Sequence, residues 1–395
     1  MTPDTTLPGT GRTMIFHAPY PLTGGIGSAV RPVRMRQAFE DLGYDVVEIT
    51  GRGAERRRAT RSLVRDLARG RRIDFAYGEN HTMPTVLTEP HHLPTHPLVD
   101  LQLLRLLRRH GIPTGLFYRD VYWRYPEYVE RIGRPVAAGI RSLYHAELIA
   151  YGRWLDRVYL PSEQIARVVP HLRPGQTQAL PPGGAVVDQP NAAGPFTVLY
   201  VGNVGAYYRM DALLEAVDAT PDVHLILCTP QDSWQTARPA LERWLGPRVE
   251  VVHERGEGLL PLFARADVCS LLVEPSEYRD FASPVKLYEY LGHGKPVLAS
   301  AGTLAGQVVA EGGLGWQVEY EAAQIGALLT RLQGEQAQAD GGEMVAATER
   351  VRTARHEHTW AARAQQVADD LTPLARPARP ASPPGGPRPR RGWSR

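Results

Sequence analysis

Lysine is almost missing from this 395-residue chain. Of 45 basic residues only Lys286 and Lys295 are lysine, and both fall in one segment, DFASPVKLYEYLGHGKP (280–296). Cysteine is equally scarce. Cys228 and Cys269 sit in the apolar runs HLILCTP and DVCSLLVE, so each reads as a small core hydrophobe. A disulfide framework and zinc-type spacing are both excluded, which suits a reducing, cytoplasmic compartment. No uncharged run reaches the roughly 18 residues a membrane span needs. The opening MTPDTTLPGTGR lacks an apolar stretch of signal-peptide length. The expectation is a soluble, cytoplasmic protein, with the inner membrane face as its one peripheral address.

Acid is missing from Pro373 to Arg395. That stretch, PLARPARPASPPGGPRPRRGWSR, holds six arginines, so the formal charge of +3 leaves the preceding residues at net −3. Its near-lack of apolar side chains predicts disorder, as expected also for residues 1–12. Such a tail either makes weak contact with an anionic membrane surface or is a solubilising extension. Nothing in the folded body points to nucleic acid.

What is present is a regular alternation of short apolar runs with amphipathic stretches, the signature of parallel βαβ units. Strands are predicted at 13–19, 45–50, 74–79, 114–120 and 157–162. Helical stretches such as RPVRMRQAFEDLG and DLQLLRLLRRHG lie between them, each stopping at Gly. After a Pro/Gly-rich break, LPPGGAVVDQPNAAGP (180–195), the pattern restarts. Further strands are predicted at 197–203, 223–229, 249–254, 267–274, 296–300 and 315–319. The fold class is α/β, two doubly wound Rossmann-like domains (13–190 and 191–355) facing a cleft. Ligand-facing groups should come from loops at the carboxyl ends of the strands.

The lysine segment carries the first chemical signal. Ser283 and Pro284 read as helix cap and first helical residue, which puts Lys286 in the first turn. Cations are disfavoured there because the helix dipole is positive. A lysine in that place points to an anion in the same spot, since helix N-termini also bind phosphate through free N–H groups. At an effective dielectric near 20, one charge pair at 4 Å is worth about 4 kcal/mol before desolvation. Glu289 lies three residues on, on the same face, so an ordinary Lys–Glu pair is the competing reading. Lys295, at the helix stop GHGKPV, reads as a solvated C-terminal cation.

SPVKLYEYLGHGKPVLAS resembles the donor-binding segment of GT-B glycosyltransferases of the retaining family 4 type. The resemblance implies that Glu289 hydrogen-bonds the nucleotide ribose or the sugar. The family's earlier glutamate, eight residues upstream, is replaced here by Phe281, and Asp280 is the nearest acid. Ser283 and Lys286 fit the variant S-P-x-K-x-x-E-Y. YVGNVGAYYRMDALLEA resembles the first strand, small-residue loop and helix of the nucleotide domain, where Gly205 lets the backbone approach a phosphate. Tyr208 occupies the commonest lysine position of that loop and Asn203 a position often held by Arg. Arg209 is therefore the candidate diphosphate contact, or else an exposed arginine of a helix's first turn.

In the first domain HAPYPLTGGIGSAVRPVRMRQAFEDLGYDVVEITG resembles the opening strand, glycine loop and helix of the same family. Gly24, Gly25 and Gly27 are candidates to reach the donor phosphate from the opposite side. They do not form a dinucleotide fingerprint. FYRDVYWRY ends a strand. By the resemblance Asp120 faces the reacting carbon and acceptor; otherwise it is a turn or cap residue. Tyr118, Arg119, Tyr122 and Trp123 are acceptor-side candidates, the aromatics alternatively belonging to the core. His81 of GENHT is either an acceptor contact or a structural histidine. His91, His92 and His96 in TEPHHLPTHP match no metal-ligand spacing, and no D-x-D occurs. No metal and no cofactor is expected beyond a nucleoside-diphosphate sugar as co-substrate. HEHTWAARAQQVADDL resembles the terminal GT-B helix, crossing back to the first domain at 356–372.

The resemblance thus implies a metal-independent, retaining hexosyltransferase, suited to polysaccharide biosynthesis, with Lys286, Arg209 and Asp120 as catalytic groups. Its acceptor would be a glycan, lipid-linked or small-molecule hydroxyl. The rivals are a sugar-nucleotide epimerase of the same fold, a nicotinamide-dependent oxidoreductase, and a catalytically inactive nucleotide-sugar binding protein.

Overall fold

A computed structural model of the chain describes residues 11–23, 29–205, 208–336 and 342–377. The first domain runs β1 (Thr13–His17), α1 (Val30–Asp41), β2 (Asp45–Ile49), α2 (Gly53–Ala68), β3 (Phe75–Glu79), α3 (Val99–Arg109) and β4 (Thr114–Phe117). It continues with α4 (Pro126–Ile132), α5 (Arg134–Trp154), β5 (Arg157–Leu160) and β6 (Thr177–Ala179). Its six strands order as β2-β1-β3-β4-β5-β6, all parallel. Strands β3 and β4 are buried throughout, as expected of a sheet covered by helices on both faces.

The second domain repeats the plan with β7 (Phe196–Val201), α6 (Asp211–Ala219), β8 (Val223–Cys228), α7 (Gln231–Leu241), β9 (Val249–Val252) and α8 (Leu260–Arg265). Then follow β10 (Val268–Leu271), α9 (Val285–Gly292), β11 (Val297–Ser300), α10 (Leu304–Gly312) and β12 (Gly315–Val318). Three further helices follow: α11 (Ala322–Gln336), α12 (Gly342–Ala354) and α13 (Trp360–Leu371). The strand order is β12-β11-β10-β7-β8-β9, again parallel.

The expected strands all form, most of them shorter at their carboxyl ends. The Tyr118 N–H still donates to Tyr159 O of β5 at 2.8 Å, but Arg119 and Asp120 turn to loop partners: the Arg119 N–H donates to Asn80 Oδ1 at 2.8 Å and Asp120 accepts from the Tyr122 N–H. Strand β6 has no counterpart in the hydropathy pattern. It is three residues of TQA on the sheet edge, where no apolar run is needed.

Helix α13 belongs to the first domain although the second domain separates them in sequence. Trp360, Ala364, Val367 and Leu371 join Met14, Phe16, Phe39, Tyr77 and Phe117 in one core. The Thr359 hydroxyl caps the helix by accepting from Ala362 N–H at 3.1 Å. Gly115 of β4 has no space for a side chain beneath Tyr159 and Leu371, so the helix lies directly on the sheet. At about 1.5–3 kcal/mol for each fully buried large apolar side chain, this packing is integral to the domain. Residues 373–377 are also ordered onto it: Arg376 N–H donates to Gly111 O at 3.1 Å and its guanidinium meets Asp156 at 2.9 Å. The rest of the expected tail, and residues 1–10, lie outside the described residues. Among the described residues no helix is long and apolar enough to cross a membrane, and Cys228 and Cys269 are free and buried.

Candidate functional site

Each sheet has one place where its strand order reverses. In the first, β1 has β2 on one side and β3 on the other; in the second, β7 lies between β8 and β10. Loops leaving opposite faces at such a switch point open a crevice at the carboxyl ends of the strands. The loops after β3 and β4 meet the segment between β10 and α9 across a cavity of about 200 Å³. Thr82, Arg119 and Asp120 line it from the first domain, Tyr278, Phe281 and Ser283 from the second.

Lys286 stands in the first turn of α9, at the second switch point. Its Nζ donates to the Tyr200 hydroxyl at 3.2 Å and lies over the rings of Tyr200 and Tyr208, 4.7 and 4.8 Å from their centroids. The Tyr200 hydroxyl in turn donates to Asn203 O at 2.6 Å, which ties the ammonium to the loop after β7. No carboxylate lies within ion-pair distance of Lys286 among the described residues. Glu289 raises and Arg279 lowers its pKa from farther off, but burial dominates and pulls it from 10.5 down to about 8. A half-desolvated ammonium held by ring faces rather than by a counter-charge is a site that gains from an anion. Glu289 is itself pushed up by burial, against the pull of Lys286 and of Arg34 from α1, so its carboxyl sits where the two domains face.

The helix start differs from the expected one. Pro284, with extended ψ of 134°, is the cap residue, and α9 begins at Val285. The Ser283 hydroxyl is engaged with the Tyr288 phenol at 3.1 Å, so it caps nothing. Lys295 also departs from expectation. It is 2% exposed, and its Nζ donates to Asn191 Oδ1 at 2.7 Å and Ala266 O at 2.6 Å. The linker between the domains folds over it, so it is a structural cation.

Arg209 is exposed and forms ion pairs with Asp211 and Glu274, each at 3.2 Å. Exposed pairs of this kind are worth about 0–1 kcal/mol and yield readily to a phosphate. Asn203 and Asp280 are exposed, and Gly205 has φ of +119°, a backbone suited to glycine. Gly24, Gly25 and Gly27 lie outside the described residues.

Across the cleft, burial raises the pKa of Asp120, opposed by the Tyr122 N–H and by Arg119; the N–H bond is 3.1 Å. Tyr122 meets Tyr278 edge-on at 6.5 Å. Tyr118 and Trp123 do not line the cleft. Tyr118 is fully buried, its hydroxyl accepting from Trp123 Nε1 at 2.9 Å, and Trp123 stacks on Tyr144. Both are core residues because the chain turns inward after β4. His81 packs edge-on against Tyr20 at 5.3 Å, and burial lowers its pKa. Phe281, in the place of the family's first glutamate, stacks on Tyr125 at 6.1 Å, and its carbonyl accepts from Ser162 Oγ at 2.8 Å. Phe281 thus joins the two domains through a ring contact and a hydrogen bond.

Sequence reasoning passed over Arg31 and Glu79. Arg31 is 4% and Glu79 0% exposed; Arg31 Nε donates to Glu79 Oε1 at 2.9 Å, and the guanidinium lies 3.5 Å from the Phe117 ring centroid. Arg119 approaches the other carboxylate oxygen at 3.7 Å. This buried group ties the start of α1 to the ends of β3 and β4. The acid closing the apolar run DFAYGE was the one available signal. Arg279, which comes within 5.9 Å of the Tyr208 ring, was likewise unremarked. No group of three or more metal-ligating side chains occurs among the described residues.

The comparisons agree with this arrangement. Residues 195–333 match the family model described as Glycosyl transferases group 1. No curated protein sequence matches the chain. Among solved structures, HepE of Anabaena in complex with UDP and glucose is similar at 15% identity, TM-score 0.58, covering 91% of this chain and 98% of that one. Sucrose-phosphate synthase of Thermosynechococcus elongatus is similar at 16% identity and TM-score 0.58 over the same shares. WaaG, a glycosyltransferase involved in lipopolysaccharide biosynthesis, gives 18% identity and TM-score 0.54 over 91% and 99%. The chain has the GT-B fold of these proteins, two facing Rossmann-like domains, and its second domain carries the group 1 glycosyl transferase match.

Proposed function

We propose that the chain transfers a sugar from a nucleoside-diphosphate sugar to an acceptor hydroxyl, with retention of configuration and without a metal ion. The observation that carries this reading is Lys286: an ammonium without a carboxylate partner among the described residues, in the opening turn of a helix at the switch point of the domain that matches the glycosyl transferases. In this scheme Lys286, helix N-terminal amides and Arg209 stabilise the departing diphosphate, the largest kind of contribution available to such a site. A leaving-phosphate oxygen takes the acceptor proton. Asp120 orients the acceptor or offsets positive charge developing on the sugar, and Glu289 holds the donor's hydroxyls. The aromatic wall of Tyr122 and Tyr278 suits the apolar face of a sugar ring.

Nucleotide choice is tested with a thermal-shift panel of UDP-, GDP-, ADP- and dTDP-sugars, followed by hydrolysis assays on the stabilising donor. One of them is expected to raise the melting temperature and to be hydrolysed slowly in water. EDTA is expected to leave the rate unchanged; strong inhibition would overturn the metal-free part.

Phe281 favours a second reading. With an apolar side chain where the family has an acid, the protein would bind the sugar nucleotide without turning it over. Stabilisation by a donor, without hydrolysis or transfer to any acceptor tried, would decide for that alternative.

A further inference from the structure

The outer face of the first domain carries a groove that the cleft chemistry does not use. Helices α2 and α3 pack side by side on one face of the sheet over Ile15, Leu63, Leu103 and Leu107. Between their exposed sides runs a groove of about 410 Å³, with Arg57 and Arg61 of α2 on one wall and Arg105 and Arg109 of α3 on the other. Each pair is spaced i,i+4, so each wall presents two guanidinium groups about one turn apart. Among the described residues, none of the four meets a carboxylate. No acid lines the groove. This is a local imbalance, since the chain before Pro373 is net negative.

Apolar side chains flank the arginines. Val64 lies in the groove and is 46% exposed; Leu98, just before α3, is 57% exposed. Ten large apolar side chains stand out as exposed among the described residues, and six belong to α2, α5 or the loop before α3. Helix α5 packs beside α3 and carries three further exposed hydrophobes, Val136, Leu143 and Ile149. Exposed aliphatic side chains beside a row of cations set the α2–α3 face apart from the ordinary scatter of apolar residues.

From this juxtaposition we infer that the α2–α3 face docks on an anionic bilayer, its four groove arginines taking lipid phosphates and Val64 and Leu98 entering the interface. Guanidinium groups bind phosphate in bidentate fashion, and basic residues with aliphatic neighbours are the composition of interfacial helices. A single-stranded nucleic acid would call for aromatic side chains on which bases stack, and the flanks of this groove are aliphatic. The face lies on α2 and α3, whose first turns follow the carboxyl ends of β2 and β3, so docking leaves the cleft beside the membrane surface.

The test is co-sedimentation of the full chain with phosphatidylcholine vesicles, with and without roughly one-third phosphatidylglycerol. Wild-type protein is expected to sediment with the anionic vesicles only. The quadruple variant Arg57→Gln, Arg61→Gln, Arg105→Gln, Arg109→Gln should lose at least about a hundredfold in partitioning at low salt. The double variant Val64→Ser, Leu98→Ser should lose several-fold at physiological salt, where charge is partly screened. Replacing Arg388, Arg390 and Arg391 with Gln should leave most of the binding. Binding unchanged in both groove variants, binding lost with the tail substitutions alone, or a wild-type protein that ignores vesicles and instead retards an RNA oligonucleotide would each overturn the proposal.

Discussion

A Cβ on Gly202 would occupy the place of the Lys286 ammonium. Gly202 follows β7 with φ of +147°, and its N–H donates to Cys228 O at 2.9 Å, so the backbone has little freedom to move aside. The glycine loop and the lysine helix are therefore fitted to each other. Gly202→Ala should displace the ammonium and lower turnover roughly a hundredfold, close to the loss in Lys286→Ala. Donor hydrolysis, with circular-dichroism melts to confirm folding, checks both. A wild-type rate in Lys286→Ala would remove this lysine from the site.

Burial holds the folded-state pKa of Lys286 near 8, against 10.5 as its ordinary value. Below pH 8 both folded and unfolded chains carry the proton, and the folded chain bears the full desolvation penalty. Between pH 8 and 10.5 the unfolded chain binds more protons, so stability rises with pH. Lys286→Met should thus be more stable than wild type at pH 7, by on the order of 2–3 kcal/mol, and the gap should shrink towards pH 10. Urea unfolding at the two pH values measures it. Diphosphate affinity should fall as pH rises through 8, when the ammonium discharges.

Lys295 should matter for stability and little for turnover. Lys295→Ala leaves Asn191 and the Ala266 carbonyl without their donor, at about 2–4 kcal/mol for unpaired buried polar groups and a cavity. Equilibrium unfolding gives the loss. Turnover per folded molecule should match wild type.

Arg31 and Glu79 should behave as a coupled pair. Removing one partner strands a charge in a fully buried place, so Arg31→Met is expected to cost about 3–5 kcal/mol. Combined with Glu79→Leu, the loss should be well below the sum of the single effects. A double-mutant cycle in urea settles it, and additive losses would show that the two act independently.

The architecture was legible because parallel strands covered on both sides must be continuous apolar runs, and FAYGE and TGLF are such runs. Lys286 was legible because a lone lysine against a helix dipole is an oddity visible in one dimension. Most of the remaining misreadings share a cause: the partner lies far away in the chain. Lys295 looks solvated at a helix stop, but Asn191 reaches it from 104 residues away. Arg31 finds Glu79 across 48 residues. Trp123 resembles a sugar platform until Tyr144 covers it. Ser-Pro predicts a serine cap, and only the Tyr288 phenol, one turn on, shows why the serine turns away.

Helix α13 returns the chain to the domain that is made first. During synthesis, the faces of α1, β3 and β4 that Trp360, Val367 and Leu371 cover remain bare until the whole second domain has emerged. The amino-terminal half can collapse early but finds its last layer only after the second domain has been made. A ribosome stalled anywhere in the second domain would therefore present a sticky, unfinished first half, and this is the stage at which a holding chaperone would be most needed.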